Sequence, residues 1–376
     1  MARISCSDEF KELRAVVKVI GLGGGGGNAI NRMAEANLYD VELIAANTDA
    51  QDLRRSKAHV RIQLGETLTR GLGVGGDPER GRMAALESEP QLKEVLQGAD
   101  LVFITAGMGG GTGTGAAPIA AKIARECSAL TLGVVTRPFS QEGQLRGKQA
   151  ELGIKALREY VDTILTIPND RLFEVLEEDT TMEAAFHKAD EVLRHAVQSL
   201  SEVITKPGDI NMDLADIRSI MTGAGEALMG MGEAEGPGRA VEAAKEAISS
   251  PLLENVSIDG AKGLIVNFVA GRDLALNDFK EAMDFITRAT SPEAKVKFGL
   301  VRDDSMGERL RVTVVATGFP SRRSAFRPVS RLLGGRAPRP FESLEALQLP
   351  GQAPARPQPP DWSKPAFTHW KVRKLK

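Results

Sequence analysis

The sequence predicts an α/β protein: a mostly parallel sheet, a long central helix and a second, smaller α+β domain. Three patterns carry that prediction. Apolar, β-branched runs at 15–22, 41–46, 101–104, 130–135 and 164–167 alternate with helical stretches, as in a parallel sheet with crossover helices. Two of those runs lead straight into glycine-rich turns, at 21–27 and 107–115. Between Thr181 and Lys206, residues Phe186, Ala189, Leu193, Ala196, Val197, Leu200 and Ile204 fall on one helical face, and the order of elements changes beyond it.

The length, 376 residues, is more than one core usually serves. The expected organisation is a polar lead-in over 1–14, a ligand-binding domain over 15–180, the central helix over 181–206 and an α+β domain over 207–320. A Pro/Arg-rich linker, expected to be disordered, follows over 321–360, and a tail with a basic end over 361–376. With 42 % hydrophobic and 26 % charged residues, the composition is that of a soluble globular chain. The net charge of -2 conceals an asymmetry: twelve Lys and Arg against three acids from Ser321 onward leave +9 there and -11 on residues 1–320. A basic tail on an acidic body fits either a solvated tail or one that meets an anionic surface or partner. Cys6 and Cys127 have no C-x-x-C spacing and the four His are scattered, so neither a disulfide framework nor a metal cluster is expected. The chain shows no apolar leader and no bilayer-length run, which points to a cytosolic protein with no direct membrane insertion.

In chain order, the strand 15–22 ends in Gly21–Gly27, G-L-G-G-G-G-G, with a helix expected from Asn28. Without Cβ atoms, Gly23, Gly24, Gly25, Gly26 and Gly27 let a ligand approach the main chain. Consecutive N–H groups then make an anion nest in front of a helix N-terminus. The same turn fits G-x-G-x-x-G at Gly21, Gly23 and Gly26, and Asp49 follows the next strand as a ribose-binding acid would. A dinucleotide-binding oxidoreductase is therefore a serious alternative. Asn47-Thr48-Asp49 is either a ligand contact or an Asx turn. Thr69–Pro78 is a third glycine-rich stretch, either facing phosphate or forming a surface turn, with Pro78 suited to a first helical turn.

The stretch Gly107–Gly115, G-M-G-G-G-T-G-T-G, is the most telling. Gly107, Gly109, Gly110, Gly111, Gly113 and Gly115 leave the backbone bare, and Thr112 and Thr114 add hydroxyls. A flexible linker is the plain alternative, disfavoured by the apolar strand before it and the Ala-rich helix expected after it. Two such turns exceed what one pyrophosphate needs. With no G-K-[ST] motif, phosphate charge is left to N–H groups, helix ends and a bound Mg2+.

Glu142 and Arg146 stand past a strand end, where open α/β sheets bind ligands, or form a helix-surface pair. Asn169 belongs to Pro168-Asn169-Asp170-Arg171, after the strand 164–167. Phe186 and Asp190 are i and i+4 on the central helix: an aromatic ring and a carboxylate for a base, or core beside surface. Asn211, Asp213 and Asp216 follow that helix, and their spacing alone favours a helix start with Asp213 as N-cap and Asp216 at N3. Residues 221–238 are Gly/Met-rich. Beyond them 239–249 and 276–290 read as helices, and 263–270, 295–302 and 310–317 as strands.

Taken together, seven motifs resemble the FtsZ family of bacterial tubulin-like cell-division GTPases in order and spacing. They are G-L-G-G-G-G-G-N-A (21–29), N-T-D (47–49), L-T-R-G-L-G-V-G-G-D-P (68–78), the 107–115 stretch, P-F-x-x-E-G-x-x-R (138–146), P-N-D (168–170) and N-x-D-x-x-D (211–216). The resemblance spans residues 15–320 and implies a tubulin-like GTPase domain over 15–180, with GTP and GDP as ligands and Mg2+ as cofactor. It implies that the turns 21–27 and 107–115 hold phosphates and that Glu142, Arg146 and Asn169 meet the ribose side. Phe186 would stack on guanine, with Asn28 and Asp190 hydrogen-bonding it; an Asp accepts the N1–H and N2–H donors that adenine lacks. Asn211, Asp213 and Asp216 would reach the GTP of the next subunit in a head-to-tail filament, making hydrolysis depend on polymerisation.

The cellular role so implied is the division ring, in the cytoplasm at mid-cell. Pro365-Ala366-Phe367 matches the core of the family's C-terminal peptide, which binds division partners such as the membrane-tethering FtsA. Thr368-His369-Trp370 departs from the usual Leu and basic residues, and Gln141 stands where a Phe is common. Nucleic acid is not an expected partner. Two other readings remain to be weighed. The oxidoreductase predicts nicotinamide binding and activity independent of protein concentration; the second glycine turn and the acidic loop speak against it. A structural paralogue that assembles on GTP but hydrolyses slowly is opposed by the intact Asn211, Asp213 and Asp216.

Overall fold

The computed structural model describes residues 14–174, 180–206, 208–253 and 258–319. The lead-in up to residue 13, the linker and the tail with Pro365, Ala366 and Phe367 lie outside the described residues. The chain opens with β1 (Val17–Leu22), α1 (Gly23–Glu35), β2 (Val41–Asn47), α2 (Ala50–Arg55), β3 (Val60–Gln63), α3 (Glu66–Thr69), α4 (Pro78–Glu87) and α5 (Glu89–Leu96). It continues with β4 (Leu101–Gly107), α6 (Thr112–Glu126), β5 (Leu130–Arg137), α7 (Gln144–Arg158), β6 (Thr163–Pro168) and α8 (Met182–Thr205). The last elements are α9 (Leu214–Met221), β7 (Gly225–Glu235), α10 (Arg239–Ile248), β8 (Gly263–Ala270), α11 (Leu276–Arg288), β9 (Lys295–Arg302) and β10 (Arg309–Thr317).

The strands form one ten-stranded sheet in the order β3-β2-β1-β4-β5-β6-β7-β10-β8-β9. The strands from β3 to β6 are all parallel. Every residue of β1 is buried, because helices cover both faces of this half. The side chains of β1 alternate as a strand dictates. Val17 and Val19 face α1 and α8, while Ile20 and Leu22 face the layer built from α4, α5, α6 and α7. β7 joins β6 in parallel through only three pairs, Thr163↔Gly225, Ile164↔Glu226 and Leu165↔Ala227. β7 then runs antiparallel to β10, β10 antiparallel to β8, and β8 parallel to β9, so the second half is mixed.

The long helix expected over 181–206 is α8, capped by the Thr181 hydroxyl, which accepts from Ala184 N at 3.2 Å. Its Ala189, Leu193, Ala196, Val197 and Leu200 are buried in a core that also takes Leu132 of β5, Ile265 of β8 and Val315 of β10. α8 therefore packs against both halves of the sheet. Phe186, expected on that buried face, is instead 42 % exposed near the start of the helix.

Two differences from the sequence expectation have physical reasons. The helices after the glycine turns begin earlier than Asn28 and Ala116: α1 starts at Gly23 and α6 at Thr112. The low helical propensity of glycine is overridden because the turns must pack against each other. The Gly/Met-rich stretch 221–238 contains β7, eleven residues long. A Cβ on Gly230 or Gly232 would stand 1.9 Å from Ala247 O or 2.2 Å from Ala243 O. Those glycines let α10, with its buried Ala240, Ala243, Ala244 and Ala247, lie directly on the strand.

Gly230→Ala should accordingly cost about 1–3 kcal/mol of stability through overpacking, read as a lower urea midpoint. Gly147→Ala in α7, where a Cβ meets open space, should leave the midpoint unchanged or raise it. Equal midpoints for the two variants would refute this packing account.

Candidate nucleotide-binding site at the switch point of the sheet

β1 and β4 are neighbours, in register to the end, with Gly21↔Thr105 and Leu22↔Ala106 paired. To one side the order runs to β2 and β3, to the other to β5 and β6. This is the point of an open α/β sheet where the strand order reverses and a crevice opens at the carboxyl ends. Both glycine turns stand there. A Cβ on Gly25 would lie 3.2 Å from Gly107 Cα, and one on Gly23, whose φ is +69°, 2.8 Å from Gly113 N. Neither α1 nor α6 has an acid in its first turn or a side chain capping it, so their leading N–H groups are available to an anion.

The glycines serve two purposes. Backbone neighbours crowd the missing Cβ at Gly26 (2.5 Å from Thr105 O), Gly113 (2.9 Å from Gly107 O) and Gly115 (2.0 Å from Pro78 O). Gly111 is pressed by the third glycine stretch, with Val74 Cγ2 at 2.5 Å and Asp77 N at 2.9 Å. Gly27 and Gly110 face open space, and Gly24 and Gly25 are exposed. The stretch 69–78 thus belongs to the site, held also by Ala50 N donating to Gly71 O at 3.0 Å. The Asx turn is present as well: Asn47 Oδ1 accepts from Thr48 N at 2.8 Å and Asp49 N at 3.3 Å. The two threonine hydroxyls are already engaged, Thr112 Oγ1 with Thr48 Oγ1 at 2.7 Å and Thr114 Oγ1 accepting from Gly109 N at 2.8 Å. Asn28 is exposed on α1 and lines a cavity of about 180 Å³ with Gly24, Gly27, Asn47 and Asp52.

The segment after β5 closes the other side. A Cβ on Gly109 would touch Arg146 O at 2.7 Å and Pro138 Cγ at 3.3 Å. Glu142 accepts from Phe139 N at 2.8 Å and pairs with Arg146 at 2.9 Å, so the surface-pair geometry is present. Ser140 donates to Asp170 from its N at 2.8 Å and its Oγ at 2.5 Å, drawing in the 3-10 turn 169–174. There Asn169 is 5 % exposed, and its Oδ1 has no hydrogen-bond partner among the described residues. A buried acceptor without a donor is rare and favours a ligand N–H or O–H at this place.

Phe139 and Phe173 escaped the sequence reasoning. The buried Phe139 ring lies 5.1 Å from Phe173 and 5.3 Å, edge-on at 84°, from Phe186, a geometry aromatic pairs favour. It braces Phe186 while leaving that ring partly exposed. The signal was the Phe of P-F-x-x-E-G, which local patterning does not connect to a residue on α8. One turn further along α8, burial pushes the Asp190 carboxyl up to about 7, against the opposing charge of Arg32 on α1. Arg32 itself is paired with Glu35 at 3.0 Å.

Asn211, Asp213 and Asp216 are not part of this assembly. Their loop follows the far end of α8, and the helix, 24 residues long, spans about 36 Å at 1.5 Å per residue. That end is fixed at the amino ends of the parallel strands, opposite the glycine turns, where Thr205 Oγ1 donates to Tyr39 O at 2.9 Å just before β2. The loop is held by Met212 N donating to Val203 O at 3.3 Å and by the pairing of Ile210 with Leu300. Asp213 caps α9, accepting from Asp216 N at 2.6 Å, and Asp216 pairs with Lys297 at 2.6 Å. Asn211 Oδ1 accepts from Gly208 N at 2.9 Å.

The arrangement offers an anion two helix ends and bare N–H groups, and offers a base an aromatic face beside a carboxylate. The chain is similar to known proteins over most of its length. Residues 16–177 match the family model of the GTPase domain of the Tubulin/FtsZ family, and residues 225–320 that of the C-terminal domain of the FtsZ family. An FtsZ from M. jannaschii, solved as an empty dimer, is 42 % identical with a TM-score of 0.79, covering 82 % of this chain and 89 % of that one. A tryptophan-to-tyrosine mutant of that FtsZ aligns with the same identity and score, over 82 % of this chain and 92 % of its own. CetZ2 from Haloferax volcanii shares the fold at 20 % identity, with a TM-score of 0.69 over 81 % of this chain and 94 % of its own. The dinucleotide-enzyme alternative ends here, for the order β3-β2-β1-β4-β5-β6 is common to both architectures, whereas these matches distinguish them. The chain belongs to the FtsZ family and is a GTPase of the tubulin-like fold.

Proposed function

We propose that this GTPase assembles head to tail on GTP and hydrolyses it at the contact between successive copies, building the division ring at mid-cell in the cytoplasm. The observation that carries the reading is the separation of the glycine turns from the N-x-D-x-x-D loop by the length of α8. One copy thus keeps the glycine turns and the acidic loop apart. A head-to-tail contact is heterologous, so it propagates as a filament and joins the two parts at every step. The dimer of the M. jannaschii relative supports self-association. So do two 81 % exposed leucines. Leu72 tips the loop beside the glycine turns. Leu276 opens α11 shortly after Ala270, whose carbonyl accepts from Asp303 N at 3.0 Å, and Asp303 pairs with Lys206 at the end of α8 at 3.2 Å.

In this reading the leading N–H groups of α1 and α6, within the turns 23–27 and 107–115, bind the phosphates. Glu142, Arg146 and Asn169 meet the ribose. Phe186 stacks on guanine while Asn28 and Asp190 take its polar edge. Asp213 and Asp216 of the next copy, with Asn211, orient a water in line with the terminal phosphate and stabilise the charge its attack develops. Positioning and electrostatics are most of what phosphoryl transfer requires. The glycine turns contain no lysine, and no trio of carboxylate, His or Cys ligands exists among the described residues. Those residues fit a Mg2+ carried in largely by the phosphates, as this ion is usually held; bound there, it would neutralise phosphate charge. The tail around Pro365, Ala366 and Phe367 would bind an FtsA-like membrane tether or other division proteins, with the departure at Thr368–Trp370 altering the choice.

Phosphate release from GTP, measured against protein concentration, should show a threshold. Asp213→Ala should bind GTP yet release phosphate at least ~100-fold more slowly, as removal of a transition-state group does. Activity linear in protein from the lowest concentration would count against the intersubunit site. Leu276→Glu should raise the threshold severalfold without changing GDP affinity, since it alters only the contact; an unchanged threshold would remove Leu276 from it.

The carboxylate form of Asp190 accepts two guanine donors, whereas the protonated form carries a hydrogen of its own. Because its value in the free protein stands near 7, GDP affinity should fall as pH drops below 7, approaching about tenfold per unit. Asp190→Asn should bind weakly and lose that slope. A wild-type affinity flat between pH 5.5 and 8 would exclude Asp190 from the guanine contact.

A further inference from the structure

Thr48 follows the end of β2 and is fully buried. Groups from three segments converge on it. Its Oγ1 lies 2.7 Å from Thr112 Oγ1. Its carbonyl accepts from Gly73 N at 3.2 Å. Its N–H donates to Asn47 Oδ1 at 2.8 Å. Thr112 lies within the second glycine turn, as the first residue of α6, and is half-buried.

A pair of hydroxyls has two hydrogens, and only one can lie in the shared bond. Thr48 is enclosed, and Thr112 is the partner its hydroxyl has. A buried donor that can be satisfied in one way takes it, so the Thr48 O–H donates to Thr112. The Thr112 hydrogen is then left outside the shared bond, free for another acceptor.

We propose that Thr48 is a positioning residue of the GTPase site: it sets the direction of the Thr112 hydroxyl so that Thr112 donates to a nucleotide phosphate. Through its carbonyl it also holds the 69–78 loop against the same turn. This role rests on the nucleotide site proposed above. Its benefit is preorganisation, since a donor already aimed at the phosphate needs no reorientation when ligand arrives.

The test is titration of a fluorescent GDP and a fluorescent GTP analogue into full-length wild type, Thr48→Val, Thr48→Ser, Thr48→Cys, Thr112→Val and the double Val variant. Thermal unfolding without nucleotide accompanies each titration. Thr48→Val, nearly isosteric, should weaken binding about tenfold, and Thr48→Ser should stay within about twofold of wild type. Thr48→Cys, a weaker donor, should fall between them, which keeps the comparison open should the Val variant fold poorly. The double Val variant should bind no more weakly than Thr112→Val alone, because Thr48 acts through Thr112. Wild-type affinity in Thr48→Val would overturn the role. So would additive losses in the double variant, or losses in Ser and Val alike that track a lowered unfolding temperature. Wild-type protein that binds neither nucleotide would overturn the site itself, and this role with it.

Discussion

Gly25 and Gly107 approach so closely that a methyl group on the first would stand 3.2 Å from the second's Cα, and Gly23 meets Gly113 in the same way. The contact follows from the sheet. β1 and β4 are parallel neighbours that end in step, so whatever follows them must share one small space. At the closest points, Gly23 beside Gly113 and Gly25 beside Gly107, a side chain would press on the facing backbone. The consequence is electrostatic: α1 and α6 bring two positive ends together with no acid in either first turn. Such a junction is unfinished until an anion occupies it. The close packing of α4 on α6, through Gly81 and Gly115, then brings the 69–78 loop over the same place.

α8 organises the rest. Its start carries the exposed Phe186 and the half-buried Asp190 beside the ligand crevice. Its end carries the N-x-D-x-x-D loop at the amino ends of the first six strands. Its middle is buried against side chains of both halves of the sheet. The acids at its far end have ordinary structural partners, Asp213 as the cap of α9 and Asp216 with Lys297. These partners fix their direction, so a structural and a functional role do not exclude each other there.

Much of this was legible because the signals are local. The strands of the first half are unbroken apolar runs, the turns are spelled by consecutive glycines, and α8 has a clean helical period. What escaped depended on contacts between distant segments. β7 was hidden because Gly230 and Gly232, which weaken any local strand signal, are demanded by α10 lying on top of them. The helix starts at Gly23 and Thr112 were placed too late because packing overrides propensity there. Phe139 bracing Phe186 and the hydroxyl pair of Thr48 with Thr112 join residues far apart in sequence, and the burial that leaves Asn169 Oδ1 without a donor is set by the fold; spacing is silent about all three. The altered ionisation of Asp190 has the same origin, since burial is a property of the assembled fold.

The rigid rod of α8 also limits how this chain can change over evolutionary time. Substitutions on its exposed side leave both ends where they are. A single inserted or deleted residue does not, because each residue of an α-helix advances about 1.5 Å and turns about 100°. Such a change would swing the acidic loop round by more than a quarter turn relative to the base-binding end and leave the contacts of Thr205 with Tyr39 and of Ile210 with Leu300 out of phase. The length of α8 is thus constrained far more tightly than its composition, and divergence in this family should accumulate around the helix as replacements, with gaps confined to the loops.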